Sequence, residues 1–229
     1  MKLTPAIYFK HVPPELDRLA GRSLGEVRSE LYSVNEFTFA VAVILSAQAT
    51  DKKVNEVTPA LFAACDTPEK MLKLGEAGLK KHIKVISFFN NKARNIIGLS
   101  RELVGACGNT PNKRARSHAP LPRTREGLMA LPGIGQKTAN VIMNVLWDAP
   151  MIGVDTHLFR LSHRFGWAGD ADNTPEKVEK KLLKLIPKKY HNMVNHVMVL
   201  HGRYTCKALR PKCAECPVAK WCTAPDKKI

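Results

Sequence analysis

Four cysteines, one lysine and one aspartate are the residues of this chain best suited to chemistry. Cys206, Cys213, Cys216 and Cys222 follow a C-x6-C-x2-C-x5-C spacing near the C-terminus, while Cys65 and Cys107 stand alone. Four thiolates in so short a stretch suit either zinc or an iron–sulfur cube. Zinc ribbons usually present two close C-x-x-C pairs, and this segment has one. A reducing compartment makes clustered thiols metal ligands more readily than disulfides. Pro211 and Pro217 make the segment loop-like, so a bound metal group would be what orders it. Lys207, Arg210 and Lys212 lie between the first two cysteines. A pinned loop carrying three cations can hold a phosphate backbone.

The lysine is Lys137, in Leu131-Pro-Gly-Ile-Gly-Gln-Lys-Thr138. A helix ending near Ala130 meets a tight turn, and a second helix begins at Gln136. Gly133 and Gly135 let the backbone turn sharply and let an anion approach closely. Ile134 between them would plug into the core. The amides opening the second helix, with the positive dipole end behind them, form a phosphate site. A nucleotide-binding P-loop is excluded, because it needs glycines where Leu131 and Gln136 stand. Lys137 falls in the first helical turn. The dipole, partial burial and basic surroundings would lower the pKa of its amine, and a neutral amine is a nucleophile. On position alone, an exposed lysine touching phosphate is the simpler reading.

The aspartate, Asp155, precedes the apolar stripe Leu158, Leu161 and Phe165. It is well placed as a helix N-cap, a role worth about 1 kcal/mol. A functional reading turns its carboxylate toward Lys137, where it could take a proton and stabilise positive charge on a sugar ring. For His157, local packing or a phosphate contact is preferred to catalysis.

The elements that must position these groups read as helices nearly throughout. Phe37, Val41, Ile44 and Leu45 recur at helical spacing after Asn35, a good N-cap. Thr67 caps a short helix over Pro68 to Leu74. A stripe of Ala93, Ile96, Ile97, Ser100 and Leu103 marks Asn91 to Val104, ended by Gly105 and Gly108. Thr174 caps Pro175 to Ile186, and Met193 to Leu200 forms another helix. No run has the sustained β-branched alternation of a strand, so the predicted fold class is all-α. Asn109 to Arg125 is a loop, with Lys113, Arg114, Arg116, Arg123 and Arg125, no acid and three prolines. A solvated surface excursion is favoured over a specific DNA contact there.

The chain has 229 residues, 45% of them apolar, and a formal net charge of +16. Its basic residues are spread along the whole length, so the charge points to a polyanionic partner rather than to a floppy tail. The longest apolar stretch, Phe37 to Leu45, falls far short of the roughly 20 residues of a membrane span. No long amphipathic helix suggests a membrane surface. With no signal-peptide core before Pro13-Pro14, the expected location is the cytosol.

Taken together, these motifs resemble the endonuclease III family. The resemblance rests on Leu131-Pro-Gly-Ile-Gly-Gln-Lys-Thr-Ala-Asn-Val141, Val154-Asp-Thr-His157, His201-Gly-Arg-Tyr-Thr-Cys206, Leu45-Ser-Ala-Gln-Ala-Thr-Asp51 and the four-cysteine spacing. It implies a six-helix domain over 39–149 holding a helix–hairpin–helix. A second helical domain would combine 1–38 with 150–229 and carry a [4Fe–4S] cluster on the four cysteines. DNA would lie across the cleft between the domains, with the damaged nucleotide turned out of the duplex. Lys137 would attack C1′, the base would leave, and β-elimination from the Schiff base would cut the strand on the 3′ side. Asp155 would activate the lysine. Double-stranded DNA bearing oxidised pyrimidines or abasic sites is the implied partner of a monomeric enzyme. Gln48 matches the residue that fills the gap left by the extruded base, and Phe88 falls where the family often has an aliphatic wedge. Either Phe88 or Phe89 could equally be a core residue.

Two features depart from the family. The basic loop is longer than expected, and the first thirty residues match poorly, so a first helix is not assured there. Two rivals remain. A monofunctional adenine-type glycosylase typically lacks a lysine at position 137 and carries a further C-terminal domain, whereas this chain has the lysine and stops soon after Cys222. A non-enzymatic iron–sulfur DNA-binding or redox-sensing protein would leave Lys137 and Asp155 unexplained.

Overall fold

The computed structural model describes residues 2–20, 29–107 and 118–227, and among these every regular element is helical. The ten α-helices are α1 (Pro5–Ala20), α2 (Glu36–Ser46), α3 (Asp51–Ala64), α4 (Pro68–Ile83), α5 (Phe89–Cys107), α6 (Arg125–Met129), α7 (Gln136–Trp147), α8 (Thr156–Arg164), α9 (Pro175–Leu185) and α10 (His191–Tyr204). They divide into two compact units, Glu30–Trp147 and Met1–Ser29 with Asp148–Ile229. The family resemblance implies divisions at 38/39 and 149/150. Residues 30–32 instead go with α3. The Asn55 side chain accepts from the Tyr32 amide at 2.8 Å and donates to the Glu30 carbonyl at 2.7 Å.

The Glu30–Trp147 unit is built around α2. Every residue from Phe37 to Leu45 is buried. A near-continuous apolar run suits a helix covered on all sides, and α3, α5 and α7 all pack against it. Asn35 starts α2 with a reciprocal box. Its side chain accepts from the Thr38 amide at 2.8 Å, and its own amide donates to the Thr38 hydroxyl at 2.9 Å. Thr50, Thr67 and Thr124 cap α3, α4 and α6 with their side chains, each accepting from the amide three residues on. The helix expected to stop near Leu74 runs on to Ile83 after a break at Gly75, which takes a left-handed φ of 71°. α5 is likewise longer than expected. It carries Gly105 inside it, a cost of about 1 kcal/mol that packing against α4 and α2 absorbs.

In the other unit, α1 packs on α10, and α8 packs on α9 and α10. α1 forms despite Pro13 and Pro14 in its interior. Neither proline can donate to the helical ladder. Tyr8, Phe9, Val12 and Leu16 nevertheless line one buried face. At about 1.5–3 kcal/mol for each buried large side chain, that face outweighs two missing bonds. Trp167 pins the entry to α1 by donating its indole N–H to the Leu3 carbonyl at 2.9 Å.

Candidate functional site

The hairpin between α6 and α7 is clamped from below by α5. Ile134 is buried, as expected. Gly133 takes φ 81°, and a Cβ there would come within 2.8 Å of the Asn95 Cβ. Gly98 lies under Pro132 so closely that a Cβ would approach its ring at 3.1 Å. The two hairpin glycines therefore differ in their reasons. Gly133 turns the chain, whereas a Cβ on Gly135 would meet no atom within 4 Å. The first helical bond of α7 runs from Ala139 N–H to the Gly135 carbonyl at 2.9 Å. The amides of Lys137 and Thr138 thus precede the ladder, and glycine has no side chain to cap them. Lys137 is exposed, against the partial burial expected of it.

In the same unit, Gln48 and Phe88 both adopt left-handed backbone, with φ 53° and 57°. Non-glycine residues take that region only at a cost. Both are exposed, Phe88 at 63%, whereas Phe89 is half-buried. Of the two phenylalanines, Phe88 is therefore the one that projects. Lys92, which the sequence reading did not single out, ties the two turns together. Its amide donates to the Phe88 carbonyl at 3.1 Å. Its ammonium donates to the carbonyls of Leu45 at 2.8 Å and Ala47 at 2.5 Å, beside Gln48. Lys92 is 5% exposed, and burial pushes its amine down to about 8.

Asp155 caps α8, accepting from the amides of His157 and Leu158 at 2.9 Å each. Its carboxylate is half-buried. His157 packs its Cβ against Gly202, where an added Cβ would come within 2.9 Å of it. Arg160 Nη2 lies 3.2 Å from His157 Nδ1. Burial holds His157 below its ordinary value, with Asp155 pulling the other way. Arg160 also donates to the carbonyls of Gly202 and Cys206, at 2.9 and 3.0 Å. It thereby joins the start of α8 to the first cysteine. Nothing in the sequence marks this arginine apart from its helical register with Asp155.

Cys206, Cys213, Cys216 and Cys222 line one cavity, together with Arg164 and Lys212. Among the described residues, no three His, Cys, Asp or Glu side chains converge tightly enough for a single metal ion. Four thiols lining one cavity are the donor set of a multi-iron group. Burial pushes the Cys216 thiol up to about 11, and Cys206, Cys222 and Cys213 push it the same way. To be held there as thiolates the cysteines would need a cationic group among them, and the donor set fits an iron–sulfur cluster. Arg164 fastens the loop by donating to Cys206 Sγ at 3.4 Å and to the Lys207 carbonyl at 2.6 Å. Lys207, Arg210 and Lys212 are all exposed. Arg210 takes a left-handed φ of 52°, and Lys212 is paired with Glu215 at 2.8 Å. Of the basic segment 109–125, Lys113, Arg114 and Arg116 lie outside the described residues. Arg123 stands over the Trp147 ring at 5.6 Å, and Arg125 opens α6.

Lys137, Gln48, Phe88 and the hairpin belong to the Glu30–Trp147 unit; Asp155, His157 and the cysteine loop belong to the other. No helix among the described residues is long and apolar enough to cross a membrane.

Comparison with known proteins gives a consistent outcome. Residues 41–188 match the HhH-GPD superfamily base excision DNA repair proteins, and residues 206–222 match the iron-sulfur binding domain of endonuclease III. The endonuclease III of Rickettsia conorii is 49% identical over 85% of this chain and 87% of its own length. That of Escherichia coli is 41% identical over 87% of this chain and 89% of its own. A solved structure of a trapped endonuclease III–DNA covalent intermediate is similar at a TM-score of 0.80 and 37% identity, covering 96% of each chain. A match over most of the chain at this identity, in sequence and in fold, means that the protein belongs to the endonuclease III family of base excision repair DNA glycosylases.

Proposed function

We propose that this protein excises oxidised pyrimidines from double-stranded DNA and cuts the resulting abasic strand by β-elimination, with Lys137 as nucleophile and Asp155 as its base. The observation that carries the reading is an exposed amine in the first turn of α7, directly after a turn whose last residue, Gly135, has no side chain to cap the opening amides. A phosphate of the damaged strand docks on those amides, where the helix dipole favours an anion. The room beside Gly135 lets the backbone come close.

Because Lys137 is exposed, removal of its proton rests on a base, and Asp155 takes that part. The amine lone pair bonds to C1′, the glycosidic bond breaks, and the base leaves with the electron pair. The sugar ring opens to a Schiff base. Loss of a C2′ proton then expels the 3′ oxygen with its phosphate. The Asp155 carboxylate also steadies the positive charge that develops on the sugar.

Gln48 fills the space left by the extruded base, and Phe88 wedges the opposite strand. Their left-handed backbones and exposure support this, because strain and bare apolar surface are kept where a partner will cover them. Lys207, Arg210 and the Glu215-paired Lys212 contact phosphates from the cysteine loop, as does His157 from the start of α8. Cys206, Cys213, Cys216 and Cys222 hold a [4Fe–4S] cluster. When bound, the cluster supplies four iron–sulfur bonds that order the loop. A net charge of +16 favours a monomer that associates with DNA rather than with its own copies, in the cytoplasm where that DNA is.

Cleavage of a panel of duplexes, each with a single lesion, tests the substrate class. Cutting at oxidised pyrimidines and abasic sites is expected. Adenine removal opposite oxidised guanine, with no strand cutting at oxidised pyrimidines, would overturn the reading.

A further inference from the structure

We propose that Tyr8 and His201 form an ordered hydrogen-bond relay that tunes the reduction potential of the iron–sulfur cluster through Cys216. The three residues come from α1, α10 and the cysteine loop. Tyr8 Oη lies 3.0 Å from His201 Nδ1, and His201 Nε2 lies 3.5 Å from Cys216 Sγ. Tyr8 and His201 are both fully buried.

Ligation fixes the direction of every proton in this chain. A ligated cysteine is a thiolate, which can only accept. His201 Nε2 must therefore carry the proton. A neutral imidazole has one N–H, so Nδ1 accepts, and the Tyr8 phenol is the donor. Reversing either bond leaves a buried polar atom unsatisfied, at a cost of about 1–3 kcal/mol.

The surroundings hold this order in place. Phe165 stacks on the His201 ring at 5.9 Å and contacts the Tyr8 ring at 5.4 Å; Trp167 meets Tyr8 edge-on at 5.4 Å. The relay thus lies inside an aromatic box. An N–H donated to a ligand sulfur draws charge from it and favours the more reduced, more negative state of the cluster. Cys206 receives a donor from Arg164 at 3.4 Å, from a more open position. Cys216 receives its donor from a buried neutral ring whose other nitrogen accepts from the Tyr8 phenol and is polarised by it. Tyr8 is in this sense a positioning residue, acting through His201.

The test is the midpoint potential of the iron-loaded protein without DNA, read by film voltammetry, with iron content and visible absorbance measured in parallel. Tyr8→Phe removes the phenol donor from Nδ1, so the ring is less polarised and its Nε2–H is a weaker donor to Cys216. His201→Leu removes the donor, while His201→Gln restores an amide N–H at comparable reach. At the iron content of the parent, Tyr8→Phe and His201→Leu should shift the potential to more negative values, and His201→Gln should stay near the parent. An unchanged potential in fully loaded Tyr8→Phe overturns the proposal, as does a His201→Gln shift as large as that of His201→Leu. Should His201→Leu lose its iron, Tyr8→Phe and His201→Gln decide by the same criteria.

Discussion

Lys92 donates its buried ammonium to the carbonyl of Ala47 at 2.5 Å, one residue before Gln48. A second bond to the Leu45 carbonyl completes a cap on the end of α2 supplied from another helix. Lys92→Met keeps the bulk and removes the donors. Leaving buried carbonyls unsatisfied should cost about 1–3 kcal/mol in denaturant unfolding. Burial pushes the Lys92 amine down to about 8, below the roughly 10.4 of an unfolded chain. Between those values the unfolded state binds more protons, so folding gains stability as pH rises. The neutral amine still has two N–H groups for its two carbonyls. The stability advantage of the parent over Lys92→Met should therefore be larger at pH 10 than at pH 7. An advantage independent of pH would mean that the buried amine does not titrate in this window.

Capping and catalysis by Asp155 can be separated. Asparagine caps about as well as aspartate but is no base. Asp155→Asn should unfold within a few tenths of a kcal/mol of the parent, about twofold in equilibrium constant or less, while losing roughly 10²–10⁴ in strand-cutting rate. Asp155→Ala should lose about 1 kcal/mol as well. An Asn variant as active as the parent would reduce Asp155 to a cap.

The two hairpin glycines should respond in opposite ways. Gly133→Ala forces a side chain into left-handed backbone and against Asn95, and should cost about 1–3 kcal/mol of stability. Gly135→Ala has open space for its methyl group, so its melting temperature should hold. Its affinity for abasic DNA should fall, because the methyl occupies the approach of the phosphate. Unchanged affinity would place that phosphate elsewhere.

The basic segment before α6 should act on affinity alone. Replacing Lys113, Arg114 and Arg116 by serine should make the slope of log affinity on log salt shallower by up to about 3, at roughly 0.9 per lost phosphate contact. Single-turnover cutting rates should stay as they were. An unchanged slope would leave the segment with no part in binding.

What could be read from the sequence was local. Asn35, Thr67, Thr174 and Asp155 announce helix starts because a short polar side chain before an apolar stripe has one main use, and all four cap their helices. The hairpin was legible for the same reason. What depends on distant packing was not. Pro13-Pro14 signals an interruption, yet burial of Tyr8 and its neighbours carries α1 through it. Lys92 lies in the polar run Asn90-Asn91-Lys92 and reads as surface, because its acceptors lie some forty-five residues away. The donors to Cys206 and Cys216 come from α8 and α10, and spacing within the cysteine motif carries no trace of them.

In the proposed mechanism the side-chain amine of Lys137 becomes covalently joined to the sugar of the damaged nucleotide. Borohydride reduction during incubation with a duplex containing one oxidised pyrimidine measures this directly. A stable protein–DNA adduct is expected with the parent and none with Lys137→Ala. An adduct that persists undiminished in Lys137→Ala would contradict it.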